Sequence, residues 1–397
     1  MGTDSIVYFR TDGNSKIATG HLVRCLCIAQ AVEKLGQQIC FLVSDKTSSQ
    51  LLKELSHTLF DGVTFSFEIK ILQNAVYDNL EMEMQELQDL LRNPKSSFDR
   101  KKYPVNDIVA TKDTEFSQVI PKPTIFVDSY YVTQDYLQAL KSVAYVAYMD
   151  DLRAFDYNVD LVINYDVIPL TKEKEYKKAY TKAKKCLLGA QYTPLREQFQ
   201  NQKVILRDKI QNVLITAGGS DPYHFSESLS SFLLEEYLDI HIHIVVGKLY
   251  DNVSTLEALT KEHSRIHLHQ NVKDMASLMK KCDYAVSAAG TTLYELCALG
   301  IPAISFTFAD NQMIMAKTFE ETGAVPYAGD IRNTCVSDSA FDTNAVTENV
   351  YTNIIKHLKS MLQNYPKRIE QQQIMQQQTD GNGATKIVQA ILDLSNR

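Results

Sequence analysis

The stretch Val213-Leu214-Ile215-Thr216-Ala217-Gly218-Gly219-Ser220-Asp221-Pro222 decides the fold class, because a short apolar strand runs into a glycine turn and then into a helix. The pattern continues along the chain, with predicted strands at Ile242–Val246, Ile266–His269, Tyr284–Ser287 and Ala303–Phe308 and helical segments between them. Alternating strands and helices of this length form a mainly parallel sheet with helices on both faces.

The first half of the chain shows the same alternation. Its predicted strands are Ile6–Phe9, Ile39–Val43, Thr124–Val127, Ala144–Met149, Leu161–Asn164 and Cys186–Leu188. We therefore predict an α/β protein with two doubly wound, Rossmann-like domains that face each other across a cleft. The N-terminal domain is expected at residues 1–200 and the C-terminal domain at 207–397, with a polar linker in 192–208.

Two segments depart from this regular pattern. Residues 73–122 are polar and irregular apart from an amphipathic helix at 78–92, and we interpret them as an insertion or flap in the N-terminal domain. Gln371–Gln378 is a polar run near the C-terminal end, which we interpret as a solvated helix face.

The composition excludes several classes of protein. The 397 residues carry 41 Lys and Arg against 48 Asp and Glu, and a net charge of −7 argues against a general nucleic-acid or membrane-surface binder. The first residues lack an apolar signal-peptide core, and no apolar run is long enough to span a bilayer. The seven cysteines are scattered, as in a reduced cytoplasmic protein. We expect a cytoplasmic protein with no nucleic-acid partner, membrane anchor or cofactor.

His21 is the first candidate for chemistry, since it stands behind Gly20 in the first turn of a predicted helix. A helix start offers unpaired N–H groups and positive potential, and an imidazole exchanges protons near neutral pH. A capping or buried histidine is the alternative, and this segment alone does not decide between the two.

Glycine turns in the second half suggest a phosphate site. Gly290, Thr291 and Thr292 enter a helix whose N–H groups and hydroxyls suit a diphosphate, and Glu295 could accept hydrogen bonds from a ribose. Thr292 and Glu295 also have the spacing of a capping box. The turn at 218–220 is a second candidate, with an ordinary strand-to-helix turn as the alternative. Neither turn has the dinucleotide or Walker pattern.

Polar residues at other predicted strand ends are further candidates. Asp310-Asn311-Gln312 could bind sugar hydroxyls or a water, or simply cap a helix. Asp128 could hold a histidine or a substrate hydroxyl, or belong to a turn. For Asp150-Asp151 we favour turn and cap roles over a metal site. Two histidine pairs alternate along strands, so that each pair shares one face; metal binding is conceivable there, but surface strand positions are favoured. These pairs are His241 with His243 and His267 with His269.

Taken together and in this order, the motifs resemble those of a known family. They are Gly20-His21-x-x-Arg24-Cys25, Phe126-Val127-Asp128-x-Tyr130, Met149-Asp150-Asp151-Leu152, Leu188-Gly189-Ala190-Gln191-Tyr192-x-x-Leu195-Arg196, Thr216-Ala217-Gly218-Gly219-Ser220-Asp221-Pro222, Gly290-Thr291-Thr292-x-x-Glu295-Leu296 and Ala309-Asp310-Asn311-Gln312. The set resembles the UDP-2,4-diacetamido-2,4,6-trideoxy-beta-L-altropyranose hydrolases of pseudaminic acid synthesis and their spore coat polysaccharide relatives. That family is similar in fold to the N-acetylglucosamine transferase of peptidoglycan synthesis, a GT-B architecture.

The resemblance implies a UDP-sugar substrate and roles for individual residues. His21 matches the family's general base, and Asn311 matches an asparagine that holds the water or the sugar. The other matching residues are implied to bind the substrate. Glu295 would bind the ribose, and the diphosphate would be bound by Gly219, Ser220, Gly290, Thr291 and Thr292. The rest of the substrate would be bound by Gly20, Arg24, Asp128, Tyr130 and Gln312. Water would attack the anomeric carbon and release UDP without a metal.

Two departures from the family affect the loops around the substrate. Ala18 stands where the family usually has glycine, and the 73–122 insertion is longer than expected. A glycosyltransferase with a UDP-sugar donor and a non-catalytic nucleotide-sugar binding protein are the alternatives to the hydrolase.

Overall fold

The computed structural model describes residues 6–14, 17, 19–60, 66–75, 77–93, 122–247, 250–333 and 349–395. The chain forms two compact units. The first comprises residues 1–165, 172–188 and 383–397, and the second comprises 166–171 and 189–382.

The first unit is built on a seven-stranded parallel sheet. Its strands are β1 (Ile6–Thr11), β2 (Gln38–Val43), β3 (Glu68–Ile71), β4 (Thr124–Asp128), β5 (Tyr145–Met149), β6 (Leu161–Asn164) and β7 (Lys185–Leu188), in the order β3-β2-β1-β4-β5-β6-β7. The connecting helices are α1 (Gly20–Glu33), α2 (Lys46–Leu59), α3 (Leu80–Arg92), α4 (Gln134–Val143) and α5 (Glu173–Ala179).

The strand order of this sheet has a switch point between β1 and β4. The chain runs outward from β1 through β2 to β3 and then returns to the other side of β1. Thr11 and Asp128, the last residues of β1 and β4, are aligned in the parallel register. Since ligands of open α/β sheets bind beyond the carboxyl ends of the strands at such a point, α1 and Asp128 lie where a ligand site is expected.

The second unit is built on a six-stranded parallel sheet. Its strands are β8 (Asn212–Thr216), β9 (His241–Val246), β10 (Ile266–Gln270), β11 (Tyr284–Ala288), β12 (Ala303–Thr307) and β13 (Tyr327–Asp330), in the order β10-β9-β8-β11-β12-β13. The helices are α6 (Phe225–Glu236), α7 (Val253–Glu262), α8 (Met275–Met279), α9 (Thr291–Leu299), α10 (Asp310–Glu321), α11 (Val350–Leu362) and α12 (Tyr365–Gln378). The switch point lies between β8 and β11, where the 218–220 and 290–292 turns follow the strands.

The predicted α/β class with two Rossmann-like sheets is confirmed. Its strands appear because their residues are apolar and buried, as in β4, whose five residues are all buried. Two edge strands, β3 and β13, were not predicted, because β3 is charged and half exposed and β13 contains Gly329 and Asp330.

The last helix, α13 (Gly383–Ser395), belongs to the first unit, which the sequence did not indicate. It packs on α1 and on strands β4, β5 and β6 through apolar residues such as Ile387, Val388 and Ile391, which are buried. Residues 207–397 therefore do not all lie in one compact unit.

The stretch 192–208 and the glutamine-rich run are more buried than a linker and a solvated helix face would be. In the 192–208 stretch, Leu195, Phe199 and Leu206 are buried in the second unit. The interpretation of Gln371–Gln378 as a solvated face is wrong at its first two residues, because Gln371 and Gln372 are buried and donate to backbone carbonyls. Of the 73–122 insertion, α3 is observed, while Val76 and residues 94–121 lie outside the described residues, as does Ala18.

Within the part of the chain that the structure describes, no helix is both long and apolar enough to cross a membrane.

Candidate active site

His21, Arg24 and Asp128 meet at the switch point of the first sheet. His21 lies in the first turn of α1 and Arg24 one turn further along the same face, while Asp128 ends β4. All three are buried. Together with Asp151 and Tyr165, which bind Arg24, we call these residues the His21 cluster.

The imidazole of His21 is fixed by a carboxylate. Its Nδ1 lies 2.6 Å from Oδ1 of Asp128, and because a carboxylate only accepts, Nδ1 carries the proton and donates. In the neutral form of the ring this leaves the lone pair on Nε2, which has no hydrogen-bond partner among the described residues. The ring of Tyr130 meets the imidazole edge-on, with 4.5 Å between ring centroids. The Nδ1–H tautomer that Asp128 selects is the one in which Nε2 can act as a general base.

Arg24 connects the remaining members of the cluster. Its Nε donates to Oδ2 of Asp128 at 2.6 Å, and its Nη2 donates to the other oxygen of that carboxylate. Nη1 donates to Asp151 Oδ2 and to the hydroxyl of Tyr165, both at 2.7 Å. Nη2 also lies 3.0 Å from Nδ1 of His21, but both nitrogens are donors and this contact carries no hydrogen bond.

Asp128 and Arg24 are both charged at neutral pH. Burial by itself would raise the pKa of Asp128, but Arg24 and His21 outweigh it and hold that pKa well below its ordinary value. Burial would lower the pKa of Arg24, but Asp128 and Tyr165 raise it well above its ordinary value. A fixed carboxylate next to His21 stabilises the imidazolium that forms when Nε2 takes a proton.

The structure separates the two aspartates of the Asp150-Asp151 pair. Asp150 accepts from the backbone N–H groups of Leu152 and Arg153, which is the predicted turn role. Asp151 instead accepts from Arg24 and, at 3.0 Å, from the hydroxyl of Tyr130. Sequence reasoning missed Asp151 and Tyr165 as members of the cluster. The sequence feature that could have indicated them is their position directly after β5 and β6, at the same edge of the sheet.

A second buried network, also missed in the sequence, holds the loop after β1. Arg10 is fully buried and donates to Glu83 of α3 at 2.7 and 2.9 Å, to Asp12 at 2.8 Å and to Ser44 at 2.6 Å. Tyr136 donates to the same Glu83 carboxylate at 2.8 Å. We call these five residues the Arg10 network; it ties helix α3 to the end of β1, next to the strand that supplies Asp128.

In the second unit, the turn after β8 exposes its backbone. Gly218 has φ +78°, which favours glycine, and Gly219 is exposed with Ser220 half buried. Gly247, after β9, packs so closely that a Cβ there would lie 2.7 Å from the carbonyl oxygen of Gly219. The helix that follows this turn, α6, begins at Phe225, and the Asp221 carboxylate accepts from the backbone N–H groups of Phe225 and Ser226.

Helix α9 begins with its first-turn N–H groups uncapped by a side chain. Gly290 is the N-cap residue, Thr291 is exposed and Thr292 is half buried. The capping-box alternative is not formed, because the Glu295 carboxylate instead accepts from Arg196 at 3.0 Å through Oε1. Oε2 of Glu295 has no partner among the described residues. Burial raises the pKa of Glu295, and Arg196 opposes that rise.

Helix α10 brings the third polar motif to the same sheet edge, after β12. Asp310 pairs with Arg332 at 2.7 Å, and Gln312 accepts from the backbone N–H of Phe308 at 2.9 Å. Asn311 is exposed in the first turn. The helix has no cap from Asp310 or Asn311, since its N-cap residue is Ala309.

The chain is similar in sequence to several known proteins. Residues 193–390 match the glycosyltransferase family 28 C-terminal domain. The chain is 24% identical over 210 residues to the spore coat polysaccharide biosynthesis protein SpsG of Bacillus subtilis, covering 52% of this chain and 58% of that protein. It is 21% identical over 320 residues to the UDP-2,4-diacetamido-2,4,6-trideoxy-beta-L-altropyranose hydrolase of Campylobacter jejuni, covering 80% of this chain and 97% of that protein.

The chain spans about half the length of the first curated relatives it matches, 54% and 58%. The crystal structure of Acinetobacter baumannii MurG aligns with a TM-score of 0.59 and 15% identity over 98% of this chain and 99% of that one, a likeness of fold alone. The chain is therefore a homologue of the UDP-2,4-diacetamido-2,4,6-trideoxy-beta-L-altropyranose hydrolases and of SpsG, and its residues 193–390 match the glycosyltransferase family 28 C-terminal domain.

Proposed function

We propose that this protein hydrolyses a UDP-linked amino-deoxy sugar at the anomeric C–O bond, with His21 as the general base. The observation that carries the proposal is the Asp128–His21 pair, which leaves Nε2 as a basic nitrogen. The homologous hydrolase of Campylobacter jejuni supports the choice of substrate class. We place the reaction in surface polysaccharide or nonulosonic acid synthesis, the setting that the names of the relatives suggest.

The reaction is a displacement by water. The oxygen of water attacks the anomeric carbon while its proton passes to Nε2 of His21. The bond from that carbon to the phosphate oxygen breaks, and its electron pair leaves with UDP. Asp128 stabilises the imidazolium, and the proton is released to solvent with the product. A positioned base of this kind contributes about 10²–10⁴-fold to the rate.

We assign the nucleotide to groups of the second unit. In the proposal, the N–H groups of the first turn of α9 and the hydroxyls of Thr291 and Thr292 bind the diphosphate, as does the backbone at Gly219 and Ser220. Glu295 accepts a ribose hydroxyl through Oε2 while Arg196 occupies Oε1. Asn311 and Gln312 are assigned to the sugar or the water, and in the first unit Gly20, Arg24 and Tyr130 to the substrate.

The test is release of UDP from a panel of UDP-sugars, followed by chromatography, with no acceptor added. Turnover in H₂¹⁸O should place the label on the free sugar and none on UDP, because the anomeric C–O bond is the one that breaks. His21→Gln should lower turnover by about 10²–10⁴-fold and leave the Kd for UDP unchanged. Label in UDP, or normal turnover by the variant, would contradict the proposed mechanism.

A glycosyltransferase is the second candidate, since residues 193–390 match a glycosyltransferase domain. It requires an acceptor alcohol for turnover, so the same assay with and without acceptors separates the two activities. Binding of UDP without turnover under either condition would indicate the third alternative, a nucleotide-sugar binding protein.

A further inference from the structure

Arg196 ends a sequence motif to which the proposed mechanism assigns no role of its own. It is the N-cap residue of the short 3₁₀ turn Glu197–Phe199, which packs on α8 and α9 of the second unit. Its guanidinium lies over the ring of the fully buried Phe199, with 5.3 Å from Cζ to the ring centroid. Arg196 therefore lies in the interior of the second unit, beside the helix that we assign to the nucleotide.

The turn that follows Arg196 is tied to the chain at the start of α8. Gln198 donates through Nε2 to the carbonyl oxygen of Lys273 at 3.1 Å, and its Oε1 accepts from the backbone N–H of Ala276 at 2.8 Å. Nη1 of Arg196 also donates to the Lys273 carbonyl, at 3.4 Å. These three hydrogen bonds hold the backbone beside Arg196, and one end of its guanidinium, in place.

The other end of the guanidinium holds the carboxylate of Glu295. Nη2 donates to Oε1 at 3.0 Å, and the two side chains are only 12% and 13% exposed. Because the guanidinium is itself held by Lys273 and Phe199, Arg196 fixes the orientation of the carboxylate as well as balancing its charge. With Oε1 occupied, Oε2 is the oxygen that is left to accept from a ligand.

Arg196 also acts on the charge of Glu295. Burial raises the pKa of the Glu295 carboxyl, and Arg196 opposes that rise. The elements packed against α9, with their caps, carry other titratable groups, namely Glu197, Asp274, Tyr284, Tyr365, Lys367, Arg368 and Glu370. Among the described residues, however, Arg196 is the only charged group that shifts the pKa of Glu295. Without Arg196 this carboxyl would titrate closer to neutral pH.

We propose that Arg196 is a positioning residue that makes the site select a nucleotide with an intact ribose. It presents Oε2 of an ionised Glu295 to the ribose hydroxyls and does not itself touch the nucleotide. This role rests on the proposed function for one point, the assignment of Glu295 to the ribose. A charged acceptor that is fixed before the ligand binds favours a ribonucleoside diphosphate over a deoxy analogue, because the analogue leaves the buried carboxylate without its partner.

Calorimetric titration of the full chain with UDP and with 2′,3′-dideoxy-UDP measures ribose recognition directly. The wild type should bind the dideoxy ligand about 10–100-fold more weakly, the size expected for lost hydrogen bonds to a charged group. In Arg196→Gln the carboxyl loses its fixed orientation and its counter-charge, so the two Kd values should differ by less than about tenfold.

The matched control is a second arginine–carboxylate pair in the same unit. Arg207 donates to the buried Asp283 at 2.6 Å, just before β11 and thus at the amino ends of the strands, away from the turns assigned to the nucleotide. Arg207→Gln should therefore keep the wild-type discrimination between UDP and the dideoxy ligand.

The pH profile separates a positioning role from a structural one. The terminal phosphate of UDP titrates near about pH 6, so the quantity compared is the ratio of the Kd of a variant to that of the wild type at each pH. For Arg196→Gln this ratio should fall as the pH rises from about 5.5 to about 8.5, because the Glu295 carboxyl ionises and accepts again. For Arg196→Lys it should stay constant, since an ammonium group keeps the carboxyl ionised.

Unchanged discrimination by folded Arg196→Gln, or a pH-dependent ratio for Arg196→Lys, would overturn the role of Arg196, and the second result is decisive even if Arg196→Gln does not fold. Binding is measured without turnover. A wild type that discriminates as expected but releases no UDP from any UDP-sugar would thus support the role of Arg196 and refute the hydrolysis. A wild type that binds neither ligand would refute both.

Discussion

Asp128 accepts a hydrogen bond from His21 across 107 residues of sequence, with 2.6 Å between Nδ1 and Oδ1. The contact exists because β1, which precedes α1, and β4 are neighbours in the sheet. The same carboxylate binds the buried Arg24. In the proposed mechanism Asp128 therefore serves the proton transfer, and its contact with Arg24 stabilises the first unit.

Asp128→Asn should separate these two roles. We expect turnover to fall by up to about 10⁴-fold, because an amide does not fix the Nδ1–H tautomer or stabilise the imidazolium. Unfolding in urea should show a loss of about 3–5 kcal/mol, since Arg24 remains buried without its carboxylate. Normal UDP release from a folded variant would contradict the role given to the pair.

Glu83→Gln tests the Arg10 network. The Arg10 and Glu83 side chains are both fully buried, and removing one charge of a buried pair costs about 3–5 kcal/mol of unfolding free energy. The matched control lies on the same helix: Arg92 pairs with Asp89 on the surface, and Arg92→Ala should cost under about 1 kcal/mol. Equal losses in urea denaturation would show that burial does not set the strength of the Arg10–Glu83 pair.

His357 should make the stability of the second unit depend on pH. Its Nδ1 lies 2.6 Å from the hydroxyl of Tyr284, and burial lowers its pKa from about 6.5 to about 4. Between these values the unfolded chain binds one more proton than the folded chain, so this contribution is complete above pH 6.5 and lost as the pH falls toward 4. Urea denaturation at pH 7 and pH 5 should show a smaller loss for His357→Gln than for the wild type. His263→Gln should keep the wild-type loss, and an equal loss in the His357 variant would rule out this histidine as the cause.

Gly247→Ala tests the turn that we assign to the diphosphate. The added Cβ would lie 2.7 Å from the carbonyl oxygen of Gly219 and force that turn to move. A displacement that costs about 1.4 kcal/mol weakens binding tenfold, and calorimetry with UDP should show a loss of at least that size. Gly36→Ala, at a positive-φ turn of the first unit, serves as the control and should leave the Kd for UDP unchanged. An unaltered Kd in Gly247→Ala would argue against nucleotide binding at this turn.

The sequence predicted the strands well where they are apolar and buried on both faces, as β4 and β11 are. It missed two of the four edge strands, β3 and β13, because β3 is charged and half exposed and β13 contains Gly329 and Asp330. Buried polar side chains were also unpredictable. The polar run around Gln371 indicates a surface residue, but the side-chain amide of Gln371 donates to the backbone carbonyls of Ala303 and Ala324 in the interior.

For the candidate site, the sequence showed which residues follow strands but not which of them touch. His21 and Asp128 were both singled out, yet their contact depends on the strand order, which no local pattern encodes. The same holds for Glu295, whose partner Arg196 lies 99 residues earlier in the chain. The roles of these residues in binding and catalysis stay predictions until the variants are measured.

Helix α13 has a consequence for biosynthesis. The apolar surface of α1 is covered by a helix that leaves the ribosome only after the whole second unit has been made. The apolar surface of α1 therefore stays uncovered in the nascent first unit while nearly 200 further residues are translated and begin to fold.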